Sequence, residues 1–361
     1  MRRNTSLDGI RITALFNLIS FHFLYYIDYY SAPVLGANMY IMSCMRSLFT
    51  TCIPLFLLLT GYLMGDKTLS KEYYTKCLRT VWIYIFASVA SAIYRFVVGG
   101  ITISIYDFLK ALFSFNGCPY AWYVELYLGL FLLIPFLNIL YQNIQNKERK
   151  KVLVATMIGL TAMPSVFNVY QFDSLRWWIN PQVSKDYFKL IPAWWVGIYP
   201  ITYYFIGCFI HEYGLKIRRS LNLLGIALLM ILMGSYSYWR SFSNIFDWGL
   251  WTDWSSLANT VMSVLVFAFW INLNKREFGR SDKLLAGISK CVFGAYLLSW
   301  IAEDVIYHHI LDTNIEIPLR LQYYPLVILV LFLSLIMSTV LNIGYDMGKS
   351  VLRYRNEKGK A

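Results

Sequence analysis

Charged residues are scarce in this chain. They make up only 14% of its 361 residues, whereas hydrophobic residues make up 58% and aromatic residues 18%. Soluble proteins carry about 25% charged residues, because polar side chains must cover their surface. The deficit excludes a cytosolic enzyme, a nucleic-acid-binding protein and a disordered regulator. It indicates a polytopic membrane protein that has the lipid bilayer as a partner.

The sequence also has no Cys-x-x-Cys pair among its six cysteines. Most of them fall in apolar stretches or beside basic loops, so we expect free thiols. His211, His308 and His309 have no carboxylate or cysteine at ligand spacing, and we therefore predict no metal site. The motifs G-x-S-x-G, G-x-G-x-x-G and the P-loop are missing, which argues against hydrolases and ATPases of those types.

Long apolar runs dominate the chain. A bilayer core about 30 Å thick needs about 20 apolar residues per helix. We predict an all-α integral membrane protein with about ten transmembrane helices, near residues 8–29, 40–64, 79–98, 121–141, 152–170, 191–213, 221–238, 255–273, 284–304 and 323–345. The first run is too long for a signal-peptide core and is predicted to be retained.

Basic residues are divided unevenly between the two sets of connections. With the N-terminus in the cytoplasm, 23 Lys and Arg residues fall on the cytoplasmic side and six on the opposite side. The positive-inside rule therefore predicts two cytoplasmic termini. The net charge of +12 is thus a topology signal, and no nucleic-acid partner is expected. Residues 1–361 are predicted to form one transmembrane domain, with a core at about 5–345 and a basic cytoplasmic tail at 346–361.

The first predicted span contains charged and titratable side chains. A charge near the bilayer centre costs about 2.5–3.5 kcal/mol on insertion scales. Arg11 and His22 are eleven residues apart, so they share one helical face and are separated by about 16 Å along the axis. Asp8 is close enough to pair with Arg11. Two interpretations remain open: a functional pair, or an Arg11 that reaches the interface and a His22 that bonds between helices.

Asp28 and Arg46 lie near the outer ends of the first and second predicted spans. Because their predicted depths are similar, we expect an ion pair across this hairpin. Arg46 is also a candidate for substrate binding. Ten of the twelve tryptophans fall on or near the predicted outer side, whereas an aromatic belt normally marks both interfaces. This asymmetry predicts either a sugar-binding surface or longer outer loops that lie among lipid headgroups.

Four motifs follow one another along the chain. They are Leu7-Asp-Gly-Ile-Arg11 with His22 after ten further residues, Ile53-Pro-Leu-Phe-Leu-Leu-Leu-Thr-Gly-Tyr-Leu63, Ala121-Trp-Tyr-Val-Glu125 with Gly129 to Pro135, and Phe293-Gly-Ala-Tyr-Leu-Leu298. Together they resemble the bacterial membrane acyltransferase 3 family over almost the whole chain. Two positions depart from the family pattern. The Arg-x-x-Arg motif is replaced by Lys76-Cys-Leu-Arg79, and Ser299 stands where histidine often follows the last motif.

The resemblance implies a multi-pass O-acyltransferase of the bacterial plasma membrane. Such an enzyme moves an acyl group, usually acetyl, from cytosolic acyl-CoA to a sugar hydroxyl of a cell-surface or extracellular polysaccharide or a lipid-linked glycan. Acetyl-CoA would be a co-substrate, and no permanently bound cofactor is expected. The polysaccharide synthesis machinery is a further expected partner.

The chemistry of this transfer favours particular residues. Coenzyme A is polyanionic, so its phosphates need basic groups at the cytosolic face, where Lys76, Arg79 and Arg11 are expected. A sugar hydroxyl needs a base that titrates near neutrality, and we assign this role to His22. The predicted catalytic residues are thus His22 and Arg11, together with Glu125. The predicted substrate-binding residues are Asp8, Arg46, Lys76, Arg79, Trp122 and Tyr123.

Glu125 is predicted at the depth of His22, where its carboxylate would orient the ring and stabilise the imidazolium. The alternatives are that Glu125 binds acceptor hydroxyls or faces the outer headgroups. Two other functions also fit ten spans with internal charges. One is an exporter or flippase of undecorated glycan, and the other is a structural partner of a polysaccharide synthase.

Overall fold

The computed structural model describes residues 5–183, 186–273 and 281–358. These residues form α-helices α1 (Thr5–Tyr26), α2 (Ala37–Phe49), α3 (Cys52–Met64), α4 (Lys71–Thr75), α5 (Cys77–Gly99), α6 (Ile105–Phe113), α7 (Trp122–Asn143), α8 (Lys147–Thr161), α9 (Pro164–Phe167), α10 (Leu175–Ile179), α11 (Tyr199–Tyr213), α12 (Arg219–Ser241), α13 (Leu257–Ile271), α14 (Ser281–Ile310) and α15 (Leu326–Lys358). Short 3-10 helices lie at Tyr29–Ser31, Pro181–Val183, Val196–Ile198, Leu250–Thr252 and Ile317–Tyr323. Within the described ranges there is no β-strand, and the predicted all-α class is confirmed.

Eight helical segments of the described chain are long and apolar enough to cross a bilayer. They are Thr5–Tyr26, Ala37–Met64, Lys71–Gly99, Trp122–Asn143, Arg219–Ser241, Leu250–Ile271, Asp282–Ile310 and Leu326–Met347. Each overlaps one of the ten spans predicted from the sequence. The protein is therefore a multi-pass membrane protein, as its composition indicates.

The other two predicted spans, 152–170 and 191–213, overlap the 15-residue helices α8 and α11. Such a helix is about 22 Å long, which is less than the thickness of a bilayer core. Proline limits both helices, because Pro164 begins the separate helix α9 and Pro200 lies in the first turn of α11. The count of ten is not confirmed. The cytoplasmic location of the two termini likewise stays a prediction.

Helix α1 is central to the bundle. It contacts α2, α3, α13, α14 and α15. Of its most apolar stretch, 72% is buried, compared with 22% for α15. A helix that is apolar on all sides is stable when other helices surround it. Among the eight candidate spans, Arg11 and His22 therefore lie on the one with the largest buried share.

Helices α3 and α11 cross in backbone contact, because glycine faces the partner helix on each side. A β-carbon on Gly61 would lie 2.0 Å from the carbonyl oxygen of Tyr204, and one on Gly207 would lie 2.2 Å from that of Leu58. Any larger residue would force the two helices apart. Gly61 belongs to the second sequence motif, so this motif has a packing role: it holds the short helix α11 in the core.

Several of the basic residues that predict the orientation lie outside the described ranges. These are Arg2, Arg3, Lys185, Lys275, Arg276, Arg280 and the end of the basic tail at 359–361. The six cysteines are all described and are all free, as the sequence predicts.

Candidate functional site

Two large cavities lie among the described residues of the bundle, and Tyr296 lines both of them. The first, here named the Arg11 cavity, has a volume of about 720 Å³. The second, named the His22 cavity, has a volume of about 380 Å³. Both volumes lie in the range of about 300–1,000 Å³ that is usual for small-molecule sites. Helix α1 contributes to both walls, so the predicted shared face of Arg11 and His22 serves two different cavities.

His22 is paired with a carboxylate of α14. Its Nδ1 lies 2.9 Å from Oε1 of Glu303, whose side chain is fully buried, whereas that of His22 is 13% exposed. We assign the proton to Nδ1, which donates to Glu303, because a carboxylate oxygen accepts hydrogen bonds. Nε2 is then the nitrogen left to accept a proton from a molecule in the cavity. His22 can thus act as a base, and the carboxylate of Glu303 holds the orientation of its ring.

Tyr120 completes this group from the connection before α7. Its hydroxyl donates to the second carboxylate oxygen of Glu303, at 2.5 Å from Oε2, and its ring stacks on the His22 ring with centroids 3.9 Å apart. Burial, followed by the negative charge of Glu303, raises the pKa of Tyr120 well above its ordinary value. The phenol therefore stays protonated and continues to donate.

The acidic residue after Glu303 on α14 has a different partner. Oδ2 of Asp304 accepts a hydrogen bond from the hydroxyl of Tyr94 at 2.6 Å.

Ser299, one turn before Glu303, donates to the carbonyl oxygen of Tyr296 at 3.1 Å. Its hydroxyl is thus bonded within its own helix and does not replace a histidine.

The predicted pairing of Glu125 with His22 is wrong, because Glu303 occupies that position. Glu125 lies in the first turn of α7 with an exposed side chain. Depth does not specify in which direction around the helix axis a side chain points. Glu125 is exposed, whereas the carboxylate beside the partly buried His22 is that of Glu303.

Arg11 is paired with Asp8, as predicted. Its Nη1 lies 3.0 Å from Oδ1 of Asp8 and donates to the hydroxyl of Ser289 at 3.3 Å. Asp8 is buried, whereas Arg11 is 28% exposed. Arg79 and Lys290 line the same cavity. Three cations with one buried carboxylate give this cavity a net positive charge, which favours an anionic ligand.

Lys76 and Arg79 are separated by the structure, although the sequence groups them. Arg79 lines the Arg11 cavity, and its guanidinium lies 5.8 Å from the ring centroid of Tyr345. Lys76 is exposed between α4 and α5 and is not part of the cavity wall. Of the three predicted phosphate-binding residues, the structure brings Arg11 and Arg79 to the cavity and leaves Lys76 outside its wall.

The predicted ion pair between Asp28 and Arg46 is also wrong. Asp28 lies beyond the end of α1 in a left-handed conformation, with φ of 61°, and its carboxylate binds Arg320 at 2.6 Å. The guanidinium of Arg46 instead lies among aromatic rings, those of Phe21, Tyr30, Phe246 and Trp248, at 5.4, 5.8, 4.5 and 4.9 Å from their centroids. Arg46 lines the His22 cavity.

Aromatic side chains form much of the remaining wall of the His22 cavity. Trp122 stacks on Trp254, with centroids 4.9 Å apart and planes at 16°. Trp248 and Asp253 complete this side. They belong to the connection between α12 and α13, which a buried ion pair between Arg240 and Asp247 anchors at 3.2 Å.

Tyr123 and Tyr296 lie at the boundary between the two cavities. Their rings meet edge to face with centroids 5.8 Å apart, and Tyr123 lines the Arg11 cavity only. The hydroxyl of Tyr296 donates to the carbonyl oxygen of Tyr120. Tyr296, whose ring lines both cavities, is thus hydrogen-bonded to Tyr120, which is the partner of Glu303.

Sequence reasoning missed Glu303, although a signal was present. Glu303 falls inside the predicted span at 284–304, and an ionisable residue within a span is a functional hypothesis by default. Tyr120 carried no comparable signal, because it stands in a connection and acts only through the packed position of Glu303.

The comparison with known families agrees with this geometry. A family model described as an acyltransferase domain matches residues 4–340. No curated protein and no solved structure matches the chain significantly. The chain belongs to the membrane acyltransferase 3 family, and the protein is a membrane acyltransferase.

Proposed function

We propose that the protein transfers an acetyl group from acetyl-CoA to a hydroxyl of a polysaccharide or lipid-linked glycan at the bacterial plasma membrane. One observation carries the proposal. Two cavities with different chemistry lie along one face of α1 and share Tyr296. The first holds cations, and the second holds a histidine with a buried carboxylate.

The Arg11 cavity suits the donor. Coenzyme A carries phosphates at one end and a thioester at the other, joined by a flexible arm. Arg11, Arg79 and Lys290 offer hydrogen-bond donors to the phosphates. The apolar remainder of the wall, which includes Phe56 and Val292, suits the arm. The thioester would then lie next to Tyr296.

The His22 cavity suits the acceptor. Stacked indoles provide flat apolar faces for a sugar ring, and Asp253 provides a carboxylate that accepts hydrogen bonds from hydroxyl groups. The bound hydroxyl would approach Nε2 of His22, because Nδ1 is engaged by Glu303. Acceptor and donor would thus meet at the Tyr296 boundary.

The reaction is an acyl transfer with a general base. As the sugar oxygen attacks the thioester carbonyl carbon, its proton passes to Nε2 of His22. The carbon–oxygen ester bond forms and the carbon–sulfur bond breaks, and the thiolate of CoA takes the proton from the imidazolium as it leaves. Glu303 stabilises the imidazolium through the Nδ1 hydrogen bond, and Tyr120 holds the carboxylate in place.

Membrane vesicles with radiolabelled acetyl-CoA test the proposal. Vesicles that contain the protein and an envelope glycan are expected to incorporate label into the glycan as an alkali-labile ester. Vesicles with His22→Ala are expected to incorporate none, while the amount of protein in the membrane is unchanged. Transport of glycan without any labelling would contradict the proposal and would instead favour an exporter or flippase.

A further inference from the structure

Arg46 makes no direct ion pair in the described part of the chain, although the carboxylate of Asp253, in the wall of the same cavity, acts on its charge from a distance. Its side chain is only 3% exposed, and the carboxylate expected to pair with it, Asp28, binds Arg320 instead. Charged side chains are almost never buried so completely unless they are paired. The unpaired guanidinium therefore requires a separate explanation.

The aromatic surroundings explain how the charge is tolerated. Four ring centroids lie within 4.5 to 5.8 Å of the guanidinium carbon of Arg46. Ring faces attract a cation and offset part of the cost of removing it from water. This attraction acts on the faces of the guanidinium and provides no acceptors for its N–H groups.

Most N–H groups of Arg46 have no acceptor from the described residues. A guanidinium has five N–H donors, and the one on Nε donates to the hydroxyl of Tyr30 at 3.2 Å. The two terminal nitrogens are not fully enclosed by protein atoms. Since Arg46 lines the His22 cavity, these nitrogens can meet a ligand there. A separate small void, which Arg46 also lines, has a volume of about 10 Å³ and has room for one water molecule at most.

We infer that Arg46 binds an acidic group of the acceptor, a carboxylate or a phosphate carried by the sugar. Two oxygen atoms of such a group match the forked geometry of the terminal nitrogens. The inference rests on the proposed function, because it takes the His22 cavity as the acceptor site. It adds a substrate class to that function: acidic glycans are preferred to neutral ones.

The neighbouring residues fit a sugar whose acidic group points to Arg46. Trp248 packs against the guanidinium and lines the cavity, and the Trp122–Trp254 stack lies in the same wall. The carboxylate of Asp253 provides a matched control, because it lines the cavity with the opposite charge. Loss of the Arg46 charge should therefore remove the preference for an acidic sugar, whereas loss of the Asp253 charge should retain or increase it.

Binding without acyl-CoA tests the inference separately from the transfer reaction. The full chain in lipid nanodiscs would be titrated with methyl β-D-glucuronide, glucose 6-phosphate and methyl β-D-glucoside, and Kd would be measured calorimetrically. The wild type is expected to bind at least one acidic probe about tenfold more tightly than the neutral one. The two acidic probes distinguish a carboxylate from a phosphate as the preferred group.

The variants determine whether Arg46 is responsible. Arg46→Gln is expected to remove the preference, Arg46→Lys to retain part of it, and Asp253→Asn to retain or increase it. Should Arg46→Gln fail to fold, the salt dependence of the wild-type preference and the Arg46→Lys variant still test the charge. Equal Kd values for acidic and neutral probes in the wild type, including no measurable binding of either, would overturn the inference. So would an unchanged preference in a folded Arg46→Gln.

A separate labelling assay identifies which proposal has failed. A protein that binds the acidic probe but transfers no acetyl group contradicts the proposed function alone. A protein that acetylates neutral and acidic glycosides equally well overturns the inference about Arg46 and leaves the acyltransferase function in place.

Discussion

The two cavities acquire their charged pairs in different ways. In the Arg11 cavity, the cation is paired with Asp8, three residues earlier on the same helix. In the His22 cavity, the imidazole is paired with Glu303, 281 residues later in the chain. The first pair follows from helix geometry, whereas the second forms only when α1 and α14 pack. Local sequence thus determines the pairing of Arg11, and long-range packing creates the pairing of His22.

The two cavities also differ in how far their charged side chains are exposed to solvent. Arg11 keeps 28% of its side chain exposed, and its cavity is nearly twice as large as the other. His22 and Glu303 are 13% and 0% exposed. Electrostatic interactions are stronger where water is excluded, so each group of the His22 cavity should contribute more to its function. We therefore expect the largest effects of substitution in the His22 cavity.

The largest effect is expected for His22→Ala. Loss of a general base typically lowers the rate by about 10²–10⁴-fold, so transfer to the glycan should fall below detection in most assays. Binding of acetyl-CoA should be unchanged, because His22 does not line the Arg11 cavity. Single-turnover rates and equilibrium binding of labelled acetyl-CoA measure the two quantities. Near-normal transfer would remove His22 from the reaction.

Arg11→Ala is expected to abolish transfer by a different route. It removes the ion pair between Arg11 and the buried carboxylate of Asp8, and it removes a donor from the Arg11 cavity. Binding of acetyl-CoA should therefore weaken together with the rate, in contrast to His22→Ala. Equilibrium binding measures this difference, and protein abundance in the membrane serves as the control. Unchanged affinity for acetyl-CoA would separate Arg11 from donor binding.

Glu303→Gln is expected to lower kcat by about 10²-fold with little change in KM for acyl-CoA. The amide keeps the size of the side chain but removes the charge that stabilises the imidazolium. Asp304→Asn is the matched control, because it changes the next carboxylate on the same helix, which binds Tyr94. Equal kcat values for the two variants would contradict a special role of Glu303.

These outcomes also show how far the sequence alone could lead. The spacing of Asp8 and Arg11 and the apolar runs depend on local geometry, and the Asp8–Arg11 pair and eight spans follow from them. The partners of His22 and Asp28 depend on which faces of distant helices meet. Similar predicted depths paired Glu125 with His22 and Arg46 with Asp28, but depth does not give the direction of a side chain around the helix axis. Both predicted pairings failed for this reason.

Tyr296→Ala is expected to change the hydrolysis of acetyl-CoA moderately, because it weakens the separation of the two cavities. Without the shared ring, water from the His22 cavity can reach the thioester, so hydrolysis of acetyl-CoA without acceptor should rise severalfold. Release of free CoA measures this rate. Tyr127→Ala is the control, because Tyr127 lines only the Arg11 cavity. The same increase in both variants would show that Tyr296 does not separate donor from water.

The smallest effect is expected for Lys76 and Arg79, which the sequence groups and the structure separates. Arg79→Ala should raise KM for acetyl-CoA by about three- to tenfold with kcat nearly unchanged, because a solvent-exposed charge contributes modestly to phosphate binding. Lys76→Ala should change KM less than Arg79→Ala does, since Lys76 is not part of the cavity wall. Initial rates at varied acetyl-CoA concentration give both constants, and dephospho-CoA as a competitor identifies the loss of a phosphate contact. If Lys76→Ala raised KM as much as Arg79→Ala, donor binding would extend beyond the cavity, onto the exposed segment between α4 and α5.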